Sequence, residues 1–345
     1  MRRMKALQLL AHGKPGTFEL RDLPEPAPAP DEVVVQVKAC GVNHLDLWTE
    51  EAGLPIPISL PRTLGCEVAG VIAALGEDVD QWQVGERVAV QSNLFCGTCE
   101  YCRNGEEAIC RNAELLGVQR DGGFAEKVVV PSRALARLPE AVSFQTSAAL
   151  TLAGSTAMHM LVDRAEVREG QWVLVMGAAS GVGSAAIQIA RRLGARVITT
   201  ASDERKRVLA ARLGAEYVVD LEHQDWPAEI RKITGKRGVD VVIEHIGGAV
   251  LEKAFHCLAR GGTIVTCGAT GGREVNLHLW PLFVKQQRLI GSYGRNRSDF
   301  SATLDWAARG KLKPAIDEVY TLNRLTEALA RLRARDVLGK LVIEP

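Results

Sequence analysis

Four of the eight cysteines are bunched at Cys96, Cys99, Cys102 and Cys110. Two short spacers and one longer one let four thiolates close a tetrahedron around a single ion, and Gly97 and Gly105 give the loop room to wrap it. Four sulfurs leave no open coordination position. The metal expected here is therefore one structural zinc per chain, without Lewis-acid chemistry. A second chemical signal is Gly177-Ala178-Ala179-Ser180-Gly181-Val182-Gly183, between an apolar run at 172–176 and an Ala-rich stretch. Glycine lets the backbone turn tightly and approach a pyrophosphate, and a helix starting there aims free N–H groups at the phosphates. Gly177, Ser180, Gly181, Val182 and Gly183 are read as dinucleotide contacts. The spacing is not G-x-G-x-x-G, so the strand before and the helix after carry this reading.

The following strand ends Thr199-Thr200-Ala201-Ser202, with no acid at its tip to bind a ribose 2′-hydroxyl. Asp203 reads as a helix cap, and Arg205, Lys206 and Arg207 follow it. Cations and a hydroxyl suit a 2′-phosphate. The expected cofactor is NADP(H), held by Ser202, Lys206 and Arg205.

Positioning these groups takes two domains, which the 345 residues can supply. The first half carries short β-branched runs at 33–37, 68–72, 87–90 and 127–130, separated by Pro and Gly clusters, and predicts a barrel-like β domain. The segment 24–30 has four prolines and predicts extended chain. Near 147 the texture changes to strands alternating with helices. Runs at 172–176, 196–200, 216–219, 239–243, 262–266 and 288–292 predict a six-stranded, doubly wound parallel sheet. The tail from about 311 predicts short strands and a helix over 325–333 that rejoin the first domain. The overall class is α/β. Lys plus Arg number 42 against 41 Asp plus Glu, a balance that argues against nucleic acid or an anionic membrane as partner. No apolar stretch is long enough for a membrane span, and the expected location is cytoplasmic.

Together these features resemble the medium-chain dehydrogenase/reductase superfamily. The resemblance rests on Cys40-Gly41-Val42-Asn43-His44-Leu45-Asp46, Gly65-Cys66-Glu67, the cysteine lobe, the glycine turn and Gly339-Lys340-Leu341-Val342. It implies a GroES-like catalytic domain over 1–147 and 294–345 with a zinc lobe at 94–112. It also implies a Rossmann cofactor domain over 148–293, an active site in the cleft between them, a small-molecule substrate and a homodimer or homotetramer. Zinc alcohol dehydrogenases of this superfamily hold a catalytic zinc with Cys, His and Cys. Those ligands fall here at Asn43, Cys66 and Leu152, and leucine cannot bind zinc while a neutral amide binds it poorly. Asn43 is similar to the zinc-free quinone oxidoreductase and enoyl reductase branch.

Alcohol oxidation needs a Lewis acid for the alkoxide, whereas reduction of an electron-poor carbon needs only hydrogen bonds for the developing oxyanion. The expected reaction is therefore NADPH-dependent reduction of an activated C=C bond or a quinone. Two alternatives stand beside it: an alcohol dehydrogenase with an improvised metal at Cys66, Asp46 and Glu67, and a non-catalytic NADPH-binding protein. By resemblance, Asn43 and Thr156 contact the nicotinamide region and Asp46 organises it. His44 and Lys340 face phosphate as cations, and Gly268 and Ala269 pass the carboxamide.

Overall fold

The computed structural model describes residues 2–222 and 225–345. Contacts divide the chain into two compact units, Met1–Ser155 with Gly294–Pro345, and Thr156–Tyr293.

The first unit is built on an antiparallel sheet. Its central strand, Glu32–Gly41, is flanked by Glu67–Leu75, Lys127–Pro131 and Lys340–Glu344. In the central strand Gln36 and Lys38 are exposed while Val35, Val37 and Ala39 are buried, the period-two alternation of a sheet with one dry face. Ile316–Thr321 lies parallel to Lys340–Glu344, so the tail completes the sheet begun by the N-terminal half. Val33, Val35, Val37, Val68, Ile72, Val88, Val130, Leu341 and Ile343 form its core.

The second unit is a six-stranded, all-parallel sheet. In spatial order its strands are Tyr217–Asp220, Arg196–Ala201, Trp172–Val175, Val239–Glu244, Leu258–Thr266 and Arg288–Gly291. Helices Gly181–Arg192, Glu204–Leu213, Trp226–Ile233 and Gly248–Phe255 make the crossovers. Val173, Leu174 and Val175 are fully buried because helices cover both faces, which is why this strand reads as a continuous apolar run. Strand order reverses between Trp172–Val175 and Val239–Glu244, so ligands of such sheets bind at the carboxyl ends of these two strands.

The first boundary lies after Ser155 and not at 147/148. The N–H groups of Leu152 and Ala153 donate to the Glu67 carboxylate at 2.6 and 3.2 Å, which keeps this stretch with the first unit. The fifth strand starts at Leu258, four residues before the expected run, and its pairing with Val239–Glu244 shifts register between Val239 and Val241. Among the described residues, no helix is long and apolar enough to cross a membrane.

Candidate active site

The four lobe cysteines converge. Their ligand atoms all lie within 4.8 Å of one another, with sulfur pairs at 3.6 Å (Cys99–Cys102 and Cys96–Cys110), 3.9 Å (Cys99–Cys110) and 4.0 Å (Cys96–Cys102). Four sulfurs at zinc–thiolate bond length sit about 3.8 Å apart, so the donor set fits a tetrahedral zinc. Backbone N–H groups of Thr98 and Cys99 donate to the Cys96 sulfur and push that thiol down to about 5. The lobe is tied to the rest of its unit by Asn93 Nδ2 donating to Glu107 O, and by the Ala108 and Arg297 N–H groups donating to Asn296 Oδ1 and Glu107 Oε2.

In the second unit the glycine turn takes the expected form. Ser180 caps helix Gly181–Arg192, its Oγ accepting from Gly183 N at 2.8 Å. A Cβ on Gly183 would lie 2.2 Å from Gly177 O, so only glycine permits this closure. The free N–H groups of the first helical turn form a cradle suited to a pyrophosphate. At the adjacent strand end, Asp203 caps helix Glu204–Leu213 as expected and also pairs with Lys206 at 2.9 Å, while Lys206 Nζ donates to Ser202 Oγ at 3.0 Å. Arg205 is exposed. Gly268 and Ala269 follow strand Leu258–Thr266, with Gly268 against the main chain of His245. Sequence reasoning missed His245, whose Nε2 lies 2.8 Å from Ser180 Oγ. The available signal was a histidine directly after a strand that ends where the sheet order reverses.

A buried polar network occupies the first unit around Asn43. Register places Glu67 and Lys340 on opposite flanks of the end of the central strand. Lys340 Nζ donates to Val42 O at 2.7 Å, Asn43 Oδ1 at 2.6 Å and Glu67 Oε2 at 2.8 Å. Asn43 Nδ2 donates to Gly41 O and Glu67 Oε2, both at 3.1 Å. Gly41 must lack a side chain, because a Cβ there would lie 2.0 Å from Ala148 O. Asp46 closes a capping box with Asn43 and accepts from the Asn43 and Gly65 N–H groups; burial pushes its carboxyl up to about 7. Burial, with the charges of Asp46 and Glu67, pushes the Cys66 thiol well up.

Three of the expected site residues have partners inside their own unit. The sequence aims Lys340 at a phosphate, but its three N–H groups are spent inside the protein. Both amide hydrogens of Asn43 are likewise committed, to Gly41 O and Glu67 Oε2. His44 is pushed down to about 4 by burial and by the charges of Lys340 and Arg335. Thr156 opens the second unit, half-buried in helix Ala153–Met158.

Residues 29–140 match the family model described as alcohol dehydrogenase GroES-like domain, and residues 181–309 that described as zinc-binding dehydrogenase. An NAD-dependent alcohol dehydrogenase of Sulfurisphaera tokodaii is 33% identical over 99% of this chain and 100% of its own. The chain belongs to the medium-chain dehydrogenase/reductase superfamily. A crystal structure of an NAD-dependent alcohol dehydrogenase superposes on this dehydrogenase/reductase with a TM-score of 0.95 at 40% identity, over 99% of this chain and 100% of the other. A putative zinc-binding dehydrogenase from Sinorhizobium meliloti 1021, bound to NADP, has a TM-score of 0.90 at 29% identity over the full length of both. The dehydrogenase/reductase is thus an oxidoreductase. Its residues nevertheless do not fit the catalytic zinc of the superfamily. Asn43 Oδ1 is taken by Lys340, Leu152 offers no donor, Cys66 is a buried thiol, and Glu67 Oε1 and Oε2 each accept from two donors. Among the described residues, the lobe cysteines are the one group of three or more His, Cys, Asp or Glu gathered closely enough to hold a metal.

Proposed function

We propose that this oxidoreductase moves a hydride between a nicotinamide dinucleotide and a small substrate without a catalytic metal, and that the hydride acceptor is an electron-poor carbon of a conjugated alkene or a quinone. The observation that carries this reading is the Lys340–Glu67–Asn43 network, in which the Asn43 side chain is held by an ion pair while the other two metal-ligand positions carry Cys66 and Leu152. When bound, the dinucleotide supplies the hydride. The protein's own residues do the rest: the Ser180 hydroxyl and the N–H groups of Gly181 and Val182 hold phosphate, and the Asn43 network rigidifies the main chain of its unit. NADP(H) is supported by the carboxylate-free strand tip at Ala201 and by Lys206 beside Ser202.

A second reading, a zinc alcohol dehydrogenase using NAD, is favoured by the names of its full-length relatives and by the Asp203 carboxylate that offsets Lys206. Metal analysis with a substrate panel separates the two. One zinc per chain, with NADPH oxidation by enones, enals, enoyl thioesters or quinones, supports the first. Two zincs per chain with NAD-dependent oxidation of simple alcohols replaces it with the second. Dinucleotide affinity without turnover on any of these would leave a binding protein. A homodimer or homotetramer is supported by the exposed Trp280 and Phe283 of helix Leu279–Val284 and by the exposed Leu289 and Tyr293 in and just after edge strand Arg288–Gly291, and light scattering tests it.

A further inference from the structure

The carboxyl ends of Trp172–Val175 and Val239–Glu244 are bridged by one side-chain hydrogen bond, Ser180 Oγ to His245 Nε2 at 2.8 Å. The imidazole lies directly over the glycine turn, since a Cβ on Gly177 would come within 3.3 Å of Nε2. The Ser180 oxygen already accepts from Gly183 N, so the direction of the second bond decides what the hydroxyl can do. With the proton on Nε2, the oxygen accepts twice and its own hydrogen turns toward whatever sits on the helix N-terminus. With Nε2 bare, that hydrogen is spent on the ring.

We infer that His245 is a positioning residue for the dinucleotide: it donates from Nε2 to Ser180 Oγ and thereby presents the Ser180 hydroxyl as a hydrogen-bond donor to the pyrophosphate. The inference rests on the dinucleotide-binding reading above. The pair works at the crevice where the strand order reverses, beside the free N–H groups of helix Gly181–Arg192, so an anion there meets one more donor than the backbone offers. The pyrophosphate is common to both dinucleotides. The contribution is therefore independent of the 2′-phosphate choice made at Ser202 and Lys206.

The test is calorimetric binding of NADH, NADPH and ADP-ribose to the full chain and to the variants His245→Leu, His245→Gln, Ser180→Ala and the Leu/Ala double variant, with thermal melts of each. His245→Leu and Ser180→Ala are expected to weaken all three ligands by about tenfold to a hundredfold, the effect of losing one charge-assisted hydrogen bond. The double variant should be no weaker than the worse single, because the two side chains act through one hydroxyl. His245→Gln, which keeps an N–H donor, should recover part of the affinity. Unchanged affinity, additive losses, or a lowered melting temperature without a change in binding would overturn the inference. Failure of the unmodified chain to bind either dinucleotide would overturn both the inference and the reading beneath it, an outcome distinct from indifferent variants.

Discussion

Lys340 Nζ lies 2.8 Å from Glu67 Oε2, and the two side chains are 4% and 0% exposed. Removing one partner of such a pair strands the other charge in a dry site, at a cost of about 3–5 kcal/mol, whereas removing both charges costs far less. Lys340→Met is expected to lower unfolding stability by that order. Adding Glu67→Gln should restore part of it, since glutamine keeps an acceptor for the Leu152 and Ala153 N–H groups. Urea denaturation of the two variants measures the difference. A double variant less stable than the single one would contradict the account.

Two groups beside this pair respond to pH in opposite senses. Asp46 is pushed up to about 7 from 3.8, so the folded chain takes up its proton first. Its contribution to stability is whole below about 3.8 and is lost as pH rises through about 7. His44 is pushed down to about 4 from 6.5, so its contribution is present above about 6.5 and is lost as pH falls through about 4. Each effect has a slope of at most about 1.4 kcal/mol per pH unit. Asp46→Asn is expected to steepen the loss of stability between pH 6.5 and 4, and His44→Gln to reduce it. Melting temperatures across that window provide the readout.

Residues 96–106 of the cysteine lobe include none that is buried, so a metal held by the four sulfurs would be the main support of that stretch. Zinc analysis should return one ion per chain. Chelation, or Cys99→Ser, is expected to expose the segment 94–112 to proteolysis while dinucleotide binding by the second unit persists. A chelated protein whose lobe resists protease as the untreated one does would show that the metal is dispensable there.

At the second strand end, the proposed NADP(H) preference rests on the balance of Lys206 against Asp203. Lys206→Ala is expected to reduce kcat/KM with NADPH by about tenfold and to leave NADH nearly unchanged. Asp203→Asn keeps a capping side chain but frees the cation, and should shift preference toward NADPH. Equal or better efficiency with NADH in the unmodified chain would sink the NADP(H) reading.

Local sequence was enough for whatever depends on neighbours along the chain. The spacing of Cys96, Cys99, Cys102 and Cys110 specified a loop whose four sulfurs converge because they lie within one short segment. Alternating apolar runs and helices specified the parallel sheet because burial on both faces leaves a continuous β-branched signature. The Asp203 cap was legible for the same reason: a capping residue acts on the turn beside it. The fate of Lys340 was not. Its partners Val42, Asn43 and Glu67 are brought to it by strand register across almost the whole length of the chain, and no local pattern encodes that. The same holds for His245 against Ser180, which meet only because the order of the sheet reverses between their strands. Chemistry confined to one loop could be read from residue types, while chemistry made by residues far apart in the chain was decided by which strands lie side by side.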